Sequence, residues 1–209
     1  MILVSNLNSN IRKIDYDEYL HLFTEYGSRI ITDAQREGRF VIDANNSNII
    51  DNLYLWLTRH PKCPWNVDKA FYLCGSIGSG KTTLMKTFLA IINDVSDYIV
   101  PMYQSYLFHE EIKKYGLTYF KTRPIFVDEL GREQLEIYVN GVRVRPMEDL
   151  IGLRYEYGAA TFFTSNFKLE TLSQGYDENG RKIGYGKYIG DRIAEMCNIV
   201  IMPGSSRRK

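Results

Sequence analysis

The chain has 209 residues, enough for one substantial hydrophobic core but not for two full domains. Its 44% hydrophobic and 24% charged residues exclude a disordered or fibrous chain, and no apolar window reaches the length of a membrane helix. With a net charge of +1, any nucleic-acid contact must come from local patches such as KTR (121–123), RVR (143–145) and RRK (207–209) rather than from an overall field.

The opening MILVSNLNSN has a short apolar run without a basic lead-in and does not read as a secretory signal. Cys63, Cys74 and Cys197 are odd in number and show no CxxC spacing, so reduced thiols in a cytoplasmic protein are expected. The 16 tyrosines suit either half-buried core edges or contact surfaces. Residues 1–45 hold one predicted helix, DYDEYLHLFTEYG (15–27), and read as a short N-terminal extension to a domain spanning 46–209. In SNIIDNLYLWLTRH (47–60), Ile49, Ile50, Leu53, Trp56 and Leu57 recur at helix spacing behind Ser47 as N-cap, which predicts a helix packed on a sheet edge.

From Ala70 onward short apolar runs alternate with amphipathic helices, the pattern of an α/β protein with a five-stranded parallel sheet sandwiched by helices. The predicted strands are FYLC (71–74), DYIVPM (97–102), PIFV (124–127), ATFFT (160–164) and NIVIM (198–202). Two insertions, LEIYVNGVRVR (135–145) and YDENGRKIGYG (176–186), each carry an Asn-Gly pair and read as β-hairpins with type I′ turns.

The strongest motif is GSIGSGKTT (75–83), set between the first strand and the helix that follows. It fits the phosphate loop G-x-x-x-x-G-K-[ST] in its strand-loop-helix context. Gly75, Gly78 and Gly80 let the backbone turn its amides inward around phosphates, together with those of Ser76, Ser79 and Thr83. The helix N-terminus adds partial positive charge. Lys81 reaches the β- and γ-phosphates of ATP, and the Thr82 hydroxyl is placed to ligate Mg²⁺. In PIFVDEL the third strand ends in two acids: Asp128 fits a metal-holding role and Glu129 the role of general base toward water. Asn166 follows the fourth strand, where a polar side chain can touch the γ-phosphate, although asparagine is also a common turn former.

Together GSIGSGKTT, IFVDEL, FFTSN, YGKYIGDRIAEM and GSSRRK resemble the AAA+ ATPases of the bacterial helicase-loader and transposition-helper group, the DnaC/IstB-like proteins, over roughly residues 48–209. The resemblance implies a P-loop NTPase fold of the AAA+ (ASCE) type. It also implies ATP as nucleotide, DNA replication as context, and partners that include further copies of the chain, single-stranded DNA bound weakly, and a replicative helicase or a transposase. In that family an arginine in a Gly-x-x-x-Arg segment before the last strand is donated to the neighbouring subunit, and Arg192 of GDRIAEM takes that position. The same position also accommodates a plain surface arginine. A Ser-x-Arg element that senses nucleotide maps onto Ser206 and Arg208, with Arg207 as rival, and the helical lid that follows it in the family is not expected in full here. Arg143, Arg145 and Lys187 are the expected DNA contacts of an assembled form. A small-molecule P-loop kinase and an adaptor switch with little turnover share the phosphate loop. The guanine-reading [NT]KxD motif is missing from the sequence.

Overall fold

The computed structural model describes residues 4, 7, 11–139, 141–176, 182 and 184–207. Helix α1 (Tyr16–Asp33) starts at Asp15, whose carboxylate accepts the Glu18 amide at 2.8 Å, and Asp17 and Glu18 favour its positive end. It runs past the predicted end at 27 because its second half stays amphipathic, with Ile31 packed against the core. Its buried face of Tyr19, Phe23 and Gly27 joins the same hydrophobic core as the sheet, and the Tyr19 hydroxyl donates to the Ile50 carbonyl at 3.1 Å.

Helix α2 (Ser47–Leu57) is capped at Asn46 rather than Ser47. The buried Asn46 side chain accepts the Asp43 amide and donates to the Val41 carbonyl, so it fixes the preceding loop instead of the helix end. The helix covers the middle of the sheet, not its edge. Trp56 lies 5.0 Å from the ring of Phe71 and 6.3 Å from that of Phe162, residues of two central strands. A large aromatic side chain gains most where it is wholly enclosed, and Trp56 is fully buried.

The sheet is formed by β1 (Ala70–Gly75), β2 (Met102–Gln104), β3 (Ile125–Leu130), β6 (Thr161–Ser165) and β7 (Cys197–Met202) in the order β2-β3-β6-β1-β7, all parallel. Between them lie α3 (Lys81–Val95), α4 (Phe108–Tyr115), the separate antiparallel hairpin β4 (Ile137–Val139) and β5 (Val142–Val144), α5 (Pro146–Glu156), α6 (Leu169–Leu172) and α7 (Lys187–Met196). Strand β6 therefore separates the strand before the phosphate loop from the strand that ends in acids. The second strand is a correction: 97–102 was expected, but pairing begins only at Met102. Tyr98 and Val100 spend their amides on the side chains of Ser96 and Asn93, and Pro101 has no N–H to offer. Of the two Asn-Gly turns, Asn140 lies outside the described residues. The hairpin expected at 176–186 is described only by an antiparallel bridge between Tyr176 and Lys182 and by residues 184–186.

Burial raises the pKa of the Cys74 and Cys197 thiols, which keeps them protonated and unreactive. No helix among the described residues is long and apolar enough to cross a membrane.

One buried charge ties the sheet to a loop. Arg154 of α5 has no solvent exposure and donates to the carbonyls of Phe120, Arg123 (2.8 Å) and Ala160 (2.7 Å) and to the Thr161 hydroxyl (2.8 Å). Burial pushes its pKa down to about 9, still above neutrality, so the guanidinium stays charged. Arg154→Met is expected to lower unfolding stability by roughly 3 kcal/mol, because it removes the donor to the Phe120 and Arg123 carbonyls and to the buried Thr161 hydroxyl. Urea unfolding checks this, and an unchanged midpoint would show that these carbonyls find other donors.

Candidate functional site

The C-terminal ends of β1, β3 and β6 bring the phosphate loop, the acid pair and Asn166 together, at the edge where parallel α/β sheets bind ligands. The loop depends on two glycines in the left-handed region, Gly78 (φ 81°) and Gly80 (φ 100°), which an L side chain rarely adopts. Lys81 is buried at the start of α3. Its ammonium donates to the carbonyls of Gly75 (2.9 Å) and Ser76 (2.8 Å) and to the Asn166 side-chain oxygen (2.9 Å). Asn166 thus stands beside the lysine. The wholly buried Ser79 hydroxyl has no hydrogen-bond partner among the described residues. Thr83 lies half-buried in the first turn of α3.

The Thr82 hydroxyl donates to the Asp128 carboxylate at 2.8 Å. That pairing of a hydroxyl with a carboxylate, both hard oxygen donors at the loop, fits Mg²⁺, which keeps several waters and takes only one or two protein ligands beside phosphate oxygens. Asp128 is almost fully buried and is further fixed by the Thr164 hydroxyl and by the Gln104 amide at 3.3 Å. Neither Thr164 nor Gln104 was singled out from sequence. A threonine inside the apolar run of β6 was the available signal for Thr164, since a buried hydroxyl needs a partner. Gln104 falls beyond the strand as predicted and gave none.

Glu129 lies where the β3–β6 register shifts, between Val127 and Leu130, and has φ 58°, a conformation that costs a non-glycine residue about 1–3 kcal/mol. Its backbone is secured on both sides: its amide donates to the Thr164 hydroxyl at 3.1 Å and its carbonyl accepts the Ser105 hydroxyl at 2.7 Å. Its carboxylate is paired with the Arg132 guanidinium, another group that sequence reasoning missed.

The tail runs back over the loop. The Arg207 amide donates to the Gly78 carbonyl at 2.9 Å, Ser76 donates to the Gly204 carbonyl at 2.7 Å, and a Cβ on Gly78 would collide with the Ser206 hydroxyl. The Arg207 guanidinium pairs with Asp43 at 2.8 Å. Burial works against the Asp43 carboxylate, but the Arg207 hydrogen bond, the amides of Asn45 and Asn46 and the Arg207 charge outweigh it and hold its pKa below the ordinary value. Arg207 is thus at the loop, while Arg208 lies outside the described residues.

Arg192 is not part of this cluster within its own chain. Its guanidinium sits 4.1 Å from the ring of Tyr188 and 4.9 Å from that of Tyr155, is bonded to the Tyr188 hydroxyl, and lies 3.7 Å from Glu156. The hairpin arginines are also engaged: Arg143 and Arg145 both donate to Glu136 and to the Tyr176 hydroxyl. A shallow groove of about 410 Å³ between α6 and α7 holds Lys187 but none of the phosphate-loop groups.

No family model matches the sequence, and no curated protein matches it. Solved structures do resemble the fold. A proposed primosome component from Streptococcus pyogenes serotype M3 is 18% identical, with 81% of this chain and 85% of that chain covered and a TM-score of 0.59. DnaI is 25% identical, with 81% and 87% covered and a TM-score of 0.53. The DnaC helicase loader is 16% identical, with 78% and 93% covered and a TM-score of 0.51. With its parallel sheet, inserted central strand and phosphate loop, the chain has the α/β P-loop fold of AAA+ proteins in the form shared with DnaC-like helicase loaders.

Proposed function

We propose that this protein binds and hydrolyses ATP with Mg²⁺, self-associates, and uses the cycle to load or remodel a DNA-bound partner, a replicative helicase before a transposase. The observation that carries the nucleotide chemistry is the convergence of Lys81, Asn166, Thr82 and Asp128 from three separate segments onto one loop. The helicase follows from the likeness to DnaI and to the DnaC helicase loader.

Mg²⁺ with ATP would supply charge neutralisation at the phosphates. Thr82 and Asp128 would hold the ion, and Lys81 and the loop amides would hold the phosphate oxygens. Asn166 orients the terminal phosphate and the attacking water, and Glu129 takes the water's proton. Arg207 and Arg208 are the tail arginines that would follow the state of the nucleotide.

Glu129→Gln is expected to keep ATP affinity and to lose turnover by roughly 10² or more, since the amide preserves shape but cannot accept the proton. Isothermal calorimetry and phosphate release read the two effects separately, and wild-type turnover in the variant overturns the assignment of the base. The Arg132–Glu129 pair favours a second reading, a nucleotide-dependent adaptor with little turnover, because a carboxylate already bound to a guanidinium is less available to water. Turnover that rises in Arg132→Ala separates the two: a slow switch is released by it and a base already in action is not.

A further inference from the structure

At the opposite end of the sheet from the phosphate loop, the last residues of α4 and the segment that joins it to β3 carry exposed rings and cations. The rings of Tyr115 and Tyr119 are stacked with centroids 4.8 Å apart and planes 20° off parallel. Lys114 lies over the Tyr115 ring at 4.7 Å and Arg123 over the Tyr119 ring at 4.8 Å, so the order is cation, ring, ring, cation. Beside them Lys121 lies over the ring of Tyr157 at 5.2 Å. The rings of Tyr115, Tyr119 and Tyr157 are 43%, 37% and 38% exposed, so they are open to a partner.

This surface is held rigidly from below. Phe120, between Tyr119 and Lys121 in sequence, is buried with its ring 5.0 Å from that of Tyr119. The carbonyls of Phe120 and Arg123 are both bonded by the buried Arg154, which fixes the backbone that presents Lys121 and Arg123. A buried cation with only uncharged partners is a costly anchor for an ordinary surface loop.

Charge identifies the occupant. Lys113 is taken up by Glu110 at 2.9 Å, and Glu111 is the other acid on that helix. Lys114, Lys121 and Arg123 form no ion pair with a carboxylate among the described residues. An apolar protein partner would leave these cations without an anion. A single nucleic-acid strand satisfies both features at once: its phosphates meet the cations, and a base can continue the stack on the flat guanidinium of Arg123, which caps the column over Tyr119. We infer that the Tyr115–Tyr119 stack, with Lys114, Lys121, Arg123 and Tyr157, is a binding platform for single-stranded nucleic acid. This rests on the reading of the protein as a DNA-associated loader, and it places the strand here instead of on the hairpin arginines, whose charge is already paired with Glu136.

The test uses the full chain and fluorescence anisotropy of a short labelled oligothymidine over a salt series, with and without ATP. The Tyr115→Ala/Tyr119→Ala double variant is expected to lose affinity roughly tenfold or more, whereas Tyr119→Phe, which keeps the ring face, binds as wild type. Arg123→Glu carries the same expectation and serves if the double variant fails to fold. The control is the Arg143→Ala/Arg145→Ala double variant, expected to bind as wild type. Loss in the hairpin variant with retention in the platform variants overturns this inference and leaves the DNA reading standing. Wild type that binds no strand at low salt overturns both, and ATP binding measured in the same samples shows whether the nucleotide assignment survives on its own.

Discussion

Lys81→Ala is expected to abolish ATP binding while leaving the fold intact. The ammonium is buried at the loop, 2.8–2.9 Å from Ser76, Gly75 and Asn166, and is the loop's one long cation. Charge-assisted hydrogen bonds are worth roughly 1.5–3 kcal/mol each, so loss of two bonds to phosphate corresponds to about 10² to 10⁴ in affinity. Against this stands the effect on the free protein, where the carbonyls of Gly75 and Ser76 lose a donor but lie at a loop that water can reach. The affinity effect is the larger. Calorimetry reads it directly, and thermal melting separates it from misfolding: wild type is stabilised by ATP in excess of its Kd, by about 2.7 kcal/mol at a hundredfold excess, and the variant is not. Equal affinities would remove Lys81 from the nucleotide site.

The second large effect belongs to Arg192. An arginine donated across an interface to a phosphoryl group is worth roughly 10³ to 10⁵ in rate. Arg192→Ala is therefore expected to keep ATP affinity and to lose at least about tenfold in turnover, a conservative share of that range. Within one chain the guanidinium rests between Tyr155 and Tyr188 and beside Glu156, so it serves no site of its own. If Arg192 acts across an interface, specific activity of the wild type should rise with protein concentration, because a complete site then forms only between subunits. Mixing Arg192→Ala subunits, which keep Glu129, with Glu129→Gln subunits, which keep Arg192, should restore activity that neither parent has. Flat specific activity together with no rescue on mixing would leave Arg192 a surface charge held by its two tyrosines.

The sequence was most informative where one backbone geometry demands particular residues. Gly78 and Gly80 are needed for their left-handed conformations, and Lys81 and Thr82 must follow them at the helix start, so the loop could be read without any knowledge of what packs around it. Asp128 was legible because an acid ends an apolar strand. Its partners Thr164 and Gln104 were not, because they come from other strands and only the sheet order β2-β3-β6 brings them to it. The same limit explains the strand expected at 97–102. Its apolar residues fit a strand, but the amides that would pair are taken by Asn93 and Ser96, contacts invisible in a local pattern. Helix α2 was legible as a helix from its spacing. Its place over the sheet centre was set by what Trp56 could reach, which spacing does not encode. The charge of Arg143 and Arg145 was visible, and their neutralisation by Glu136 was not.

The contact between the tail and the phosphate loop has a thermodynamic corollary. Gly204, Ser206 and Arg207 lie on Ser76 and Gly78, and Arg207 is in turn tied to Asp43 ahead of α2. A ligand that prefers one arrangement of the loop must shift the population of tail positions, and by linkage whatever grips the tail must change the loop's affinity by the same factor. Coupling of that kind needs no long pathway, because the two segments share hydrogen bonds. The segment Gly204–Arg207 is therefore coupled to the loop: if the loop holds a nucleotide, displacing Arg207 from Gly78 is expected to change its occupancy without a contact to the nucleotide itself.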